Sequence, residues 1–131
     1  LYFMTHTQTK GIEILVKNWF REDLSLESDS NYFYNYEITI RNRLSYPVQL
    51  LSREWHVLHL LFGVSTVRGE GVVGETPTLM PGEEFTYVSG CQLVNSVGKM
   101  YGKFFFKDLS TEELFYAEIP SFNLIYPPLL N

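Results

Sequence analysis

The chain is short of the residues on which several classes of function depend. Cys91 is its one cysteine, so no disulfide can form within it, and a reducing compartment, by default the cytoplasm, is expected. Basic runs are missing as well. Ten Lys and Arg stand against fifteen Asp and Glu, a formal net charge of -5, and no segment could follow a phosphate backbone, which argues against nucleic acid as a partner. No stretch approaches the roughly 20 apolar residues of a membrane-spanning helix, and no secretory leader is visible, so no membrane partner is expected. Lysine is absent between Lys17 and Lys99, which removes any phosphate-binding loop that needs one. What the chain does have is aromatic surface: ten Phe and nine Tyr bring the aromatic share to 16%, a composition suited to sheets.

With 131 residues, 45% apolar and 19% charged, the chain has the size and composition of one domain with a continuous core. Leu1, Tyr2 and Phe3 precede Met4 and read as the remnant of an expression tag; residues 4–131 read as a single domain. Period-two alternation recurs along it. Ile12, Ile14 and Val16 share one parity between Lys10 and Trp19, and Tyr32, Tyr34, Tyr36, Ile38 and Ile40 share one in the clearest strand. Between them the polar REDLSLESDSN forms an exposed connection. In VQLLSREWHVLHL the apolar parity changes between Leu50 and Trp55, as a bulge near Leu51 and Ser52 would cause. A helix from Val48 to Leu61 is the alternative there. Strands follow at Val64 to Arg68, along Phe85, Tyr87, Ser89 and Cys91, along Met100, Gly102, Phe104 and Phe106, and along Phe115, Ala117 and Ile119 as far as Pro120. Seven short strands with polar turns predict an all-β fold, an immunoglobulin-like or fibronectin type III-like sandwich of two antiparallel sheets. The terminal YPPLLN reads as a surface tail.

Gly69, Gly71 and Gly74, in RGEGVVGETPTLMPGE, spell GxGxxG. In a dinucleotide-binding unit that pattern joins a parallel strand to a helix whose amino end receives pyrophosphate. Here Pro77 follows within a few residues, no helix is available, and Glu70 would oppose a phosphate. The simpler reading is that the glycines allow positive backbone dihedrals or a close crossing. A small nest of loop amides, with donors from Arg53 and Arg68, leaves weak binding of a phosphorylated anion open.

Other candidates are weaker still. His56 and His59, three apart, point to opposite faces of a strand and His6 lies in a tail expected to be mobile, so no metal is assigned. Cys91 reads as an inert buried thiol. The pairs Glu83 with Glu84 and Glu112 with Glu113 diverge along a strand and read as solvated rims, so no catalytic residue is assigned. Trp55 is expected in the core. Tyr101, Phe105, Leu114 and Tyr116, edged by Lys103 and Lys107, form a stripe on the opposite parity of the last two strands, a candidate interaction surface.

From Tyr36 to Tyr126 the chain resembles the ApaG family (DUF525 domain), through VQLLSREW, RGEGVVGETPTLMPGEEFTYVSGCQL, GKMYGKFFF and IPSFNL in family order. The resemblance implies a fibronectin type III-like sandwich, usually a stand-alone bacterial protein, with relatives in eukaryotic proteins that look like interaction modules. It carries over no catalytic residues and no cofactor. LHLLFG, Leu58 to Gly63, stands where members often have a Thr-Asp-Ala-like turn, which makes that surface more apolar. The leading expectation is therefore a noncatalytic binding or protein-interaction domain. A phosphoanhydride or dinucleoside-polyphosphate-processing enzyme and a structural homodimer are the alternatives.

Overall fold

In the computed structural model, which describes residues 1–130, nine strands follow one another: β1 (Phe3–Thr9), β2 (Ile12–Phe20), β3 (Tyr32–Asn42), β4 (Val48–His59), β5 (Gly63–Glu70), β6 (Thr78–Leu79), β7 (Glu84–Leu93), β8 (Val97–Asp108) and β9 (Leu114–Ile125). One sheet has the order β1-β2-β3-β7 and the other β5-β4-β8-β9, with β6 added beside β4. All of these pairings are antiparallel. The two sheets face each other in the expected fibronectin-like sandwich, because each strand's apolar parity needs a second apolar face to cover it.

The inner faces are those read from the pattern. Ile12, Ile14 and Val16 meet Tyr34, Tyr36, Ile38 and Ile40 on one sheet, and Trp55, Met100, Phe104, Phe106 and Ala117 face them from the other. Trp55 sits in the centre, its ring 5.4 Å from Tyr36, 6.3 Å from Phe104 and 5.9 Å from Phe122. The bulge in β4 is where the change of parity placed it: the pairing with β8 steps from Leu50 opposite Phe106 to Ser52 opposite Phe105. Leu50 and Trp55 thereby both point inward.

Three expectations are corrected. The segment around His6 is a strand, paired with β2 from Phe3 opposite Asn18 to Thr9 opposite Ile12. Its sequence hides this, since it turns Thr5, Thr7 and Thr9 inward and offers no apolar period. β9 continues past Pro120 to Ile125, because a second register shift, opposite Met100 and Gly102 of β8, absorbs the proline. Two-residue β6, lodged between Pro77 and Pro81, is too short to leave a pattern and raises the strand count to nine. The polar connection after β2 contains two single 3-10 turns, Glu22–Leu24 and Glu27–Asp29, and Pro127–Leu130 closes the chain with a third. Of the terminal YPPLLN, Asn131 lies outside the described residues.

The two lateral sides of the sandwich differ. On one, Thr7 Oγ1 donates to the Glu118 carbonyl at 2.7 Å and Glu118 N donates to Thr9 Oγ1 at 3.4 Å, so β1 laces the edge of β9. On the other, β5 and β7 end their sheets with no further strand beside them.

Candidate functional site: the glycine loop and the outer sheet face

Beyond β5 the chain reverses through a tight hairpin. Val72 N donates to Glu75 O at 2.8 Å and Glu75 N to Val72 O at 2.9 Å, and the two residues between, Val73 (φ 43) and Gly74 (φ 81), both have positive φ. That is the signature of the mirror-image turns that suit a twisted hairpin. Gly71 (φ 61) precedes it and donates its N–H to Leu51 O at 2.8 Å. A Cβ there would overlap the Glu75 carbonyl oxygen, so the position admits only glycine. Val72, fully buried, plugs the loop into the core.

Gly69 serves a different end. The Arg53 guanidinium lies across it, its carbon and two of its nitrogens 2.8 Å from where a Cβ would stand. From there Arg53 Nη1 donates to the carbonyls of Glu70 (3.0 Å) and Gly71 (2.8 Å). The three glycines thus provide a seat for an arginine, a forced backbone position and a hairpin corner.

The two arginines reach one depression from opposite parities of the sheet. Arg53, opposite Gly69, shares the inward parity of Trp55, whereas Arg68, opposite Glu54, lies on the outer face. Arg68 Nε donates to Glu54 Oε2 at 2.9 Å. Both border a shallow open depression of about 500 Å³, but Glu54 and Glu70 border it too and balance their charge. The amides of Gly71, Val72 and Glu75 already donate to protein carbonyls. With one guanidinium bound to the loop and three amides engaged, the arrangement braces the loop.

The outer face of the second sheet carries a row set by register: Arg68, Glu54, Lys103 and Glu118 lie side by side across β5, β4, β8 and β9 with alternating charge. Arg68, and after it His56 at 2.9 Å, hold the Glu54 carboxyl below its ordinary value. Around this row stand the aromatic side chains. His56 stacks on Tyr101 with centroids 5.0 Å apart, Phe105 lies 6.3 Å from Tyr116, and Lys103 Nζ sits 4.4 Å from the Tyr116 ring centre. Tyr101 and Tyr116 are exposed, Phe105 is half-buried, and Lys103 stands within the stripe, between Tyr101 and Phe105, rather than at its edge.

The remaining candidates separate. His56 and His59 take opposite faces of β4, and among the described residues no three His, Cys, Asp or Glu side chains group as a metal site. Glu83 accepts the Met80 N–H at 2.7 Å while Glu84 pairs with Arg41 at 2.6 Å, so the two carboxylates diverge. Burial pushes the Cys91 thiol up to about 11, which keeps it protonated and unreactive near neutrality.

With this geometry in place, the comparisons are decisive for family. The ApaG domain family (DUF525) matches residues 22–108. The chain belongs to the ApaG family. The Protein ApaG of Brucella anthropi is 41% identical over 124 residues, covering 95% of both chains, and that of Methylorubrum extorquens is 41% identical over 126 residues, covering 96% of both. A Bordetella pertussis protein given the name ApaA, solved as a crystal structure, superposes with a TM-score of 0.83 at 33% identity, covering 96% of this chain and 95% of the other. A second X-ray structure gives 0.84 at 36% identity, covering 92% and 91%.

Within this ApaG-family frame, two surface features escaped the pattern reading in whole or part. The LHLLFG segment forms the tip of the β4–β5 hairpin, closed by Phe62 N donating to His59 O at 3.0 Å, with Leu60, Leu61 and Phe62 exposed to 60%, 78% and 71%. Its apolar sequence was legible, but its place on a projecting tip was not. At the same end of the sandwich Phe20 and Tyr126, distant in sequence, form one wall of a depression. No local signal links them.

Proposed function

We propose that this ApaG-family chain is a noncatalytic protein-interaction domain that engages a partner through the β4–β5 hairpin and the adjoining outer face, where Tyr101, Phe105 and Tyr116 stand. The observation that carries this reading is the hairpin tip: three large apolar side chains project together where nothing within the chain covers them. Open backbone beside the tip supports it. Gly71 N bonded to Leu51 O sets the phase of the pairing, so Val64, Thr66, Arg68 and Glu70 turn their N–H and C=O groups away from β4. An extended segment could add there as a further strand. Arg53, Gly69, Gly71 and Gly74 then act by holding β5 and the tip in place, and Arg68 by its position on the face presented. A single unpaired cysteine supports a reducing, cytoplasmic setting. Phosphoanhydride hydrolysis would need an acid, base or metal shell, and among the described residues no three His, Cys, Asp or Glu side chains group to support a metal one.

The test is capture of partners from lysate of the source organism by the unaltered chain and by a Leu61→Glu, Phe62→Glu variant, with light scattering to detect a homodimer. Loss of captured proteins, or of dimer, in a variant of unchanged thermal midpoint is expected. Equal, saturable capture by both chains would place the interaction elsewhere. Turnover of a dinucleoside polyphosphate by the unaltered chain would overturn the noncatalytic reading.

A further inference from the structure

Where β2 ends and β9 leaves its sheet, four aromatic rings meet. Phe20 lies 5.3 Å from Tyr126 with the planes inclined by 62°. Tyr34 backs Phe20 at 5.3 Å and Tyr32 backs Tyr126 at 5.3 Å, both in edge contacts, so the two front rings are held from behind. Phe20 and Tyr126, with Pro127 and Pro128, line an open depression of about 360 Å³ that Glu22 and Glu27 also border. Leu1 and Leu130 complete its lining.

The charge at this place is uncompensated. Arg21, the nearest basic residue in sequence, is turned away, with Nε and Nη2 on Asp23 at 2.9 and 2.7 Å and Nη1 on Asn35 Oδ1. Among the described residues, neither Glu22 nor Glu27 takes part in an ion pair. Both act on Tyr126, whose hydroxyl is held above its ordinary value by burial first and by Glu27 and Glu22 after it. Two carboxylates without cations therefore face a corner of aromatic and proline surface.

We propose that this corner binds an alkylated ammonium group, the cationic end of a quaternary amine or of a methylated lysine side chain. Aromatic rings attract a cation through their quadrupole, and the carboxylates add the full charges. Alkylation is what fits the walls. A bare ammonium or a divalent ion could use only the Glu22 and Glu27 carboxylates, and the phenyl and proline walls give it no acceptors in exchange for the rest of its strongly bound water. A methylated nitrogen gives up little hydration and meets those surfaces through its methyl groups. The site lies beside the hairpin tip of the proposed interaction surface but does not depend on it.

The experiment is an NMR titration of the full chain with choline, followed at the aromatic resonances of Phe20 and Tyr126. Saturable shifts in the millimolar range are expected. N-acetyl-trimethyllysine amide serves as the second arm and separates a free amine from a side chain as the source. The uncharged isostere 3,3-dimethylbutan-1-ol, and choline with a Glu22→Gln, Glu27→Gln variant, should each bind about tenfold more weakly. Both carboxylates are at the surface, so that variant should keep its thermal midpoint, which is measured alongside. The proposal is overturned if choline produces no saturable shift at these two rings, if the neutral alcohol binds as tightly as choline, or if the double variant binds choline unchanged.

Discussion

At the scale of the residue, the two arginines beside the glycine loop separate a brace from a surface group. Arg53 gives two hydrogen bonds to carbonyls of its own loop, one of them on buried Gly71. Replacing it with methionine keeps the stem but leaves both carbonyls without that donor. Hydrogen bonds to a charged group are worth about 1.5–3 kcal/mol, and Arg53→Met should destabilise the fold by an amount in that range. Arg68, with a side chain 71% exposed, pairs with Glu54 across solvent. Its loss in Arg68→Met should cost no more than about 1 kcal/mol. Urea unfolding of the two variants measures both, and equal midpoints would remove the bracing role of Arg53. The same contrast explains why a dinucleotide-like glycine spacing arises without a nucleotide site. Gly69 is small because Arg53 lies over it, and Gly71 because Glu75 O lies against it.

At the scale of the element, legibility in the sequence followed burial. β3, β8 and the first part of β9 showed their parity because one face of each enters the core, and the β4 bulge showed because Leu50 and Trp55 must both enter it. β1 escaped because it turns threonines inward, and its role is to lace an edge rather than fill a core. A side-chain hydrogen bond helps to fasten β1 to β2. Glu13 hydrogen-bonds with His6 of β1 at 2.8 Å and takes Arg43 and Arg41 at 3.1 and 3.3 Å. These contacts, His6 first, hold its carboxyl at about 2 against an ordinary 4.5. A depressed carboxyl stabilises the fold fully above the unfolded value and ceases to do so as pH falls through the folded one. The difference in urea midpoint between the native chain and Glu13→Gln should therefore be present at pH 4.5 and close as pH falls from there to 2. A difference that does not change over this window would mean that Glu13 is not held by charge. The residues of the candidate site were legible, its glycines, its two arginines, Tyr101, Phe105, Tyr116 and its apolar LHLLFG run, but not how they meet, since the register that brings Arg53 over Gly69 and Phe20 against Tyr126 is tertiary.

At the scale of the whole molecule, the sandwich has one laced side and one open side. β1 covers the β9 edge through Thr7 and Thr9, whereas β5 and β7 end their sheets uncovered. An edge strand with unpaired backbone is a template for another strand, so the open side offers two such templates, β5 and β7, and the laced side none. A two-fold symmetric association through the open side closes on itself as a pair; association through both sides would continue from copy to copy. The native chain should accordingly give light-scattering masses of monomer or dimer at every concentration. A chain lacking residues 1–9 loses the lacing of β9 and the β1 ladder on β2. It should lose stability and, while still showing a sheet signal by circular dichroism, form species larger than a dimer in a concentration-dependent way. If the shortened chain stays folded and no larger than the native one, β1 is not what guards that edge. The association limit must then come from the residues that β9 itself exposes, among them Leu114 and Tyr116.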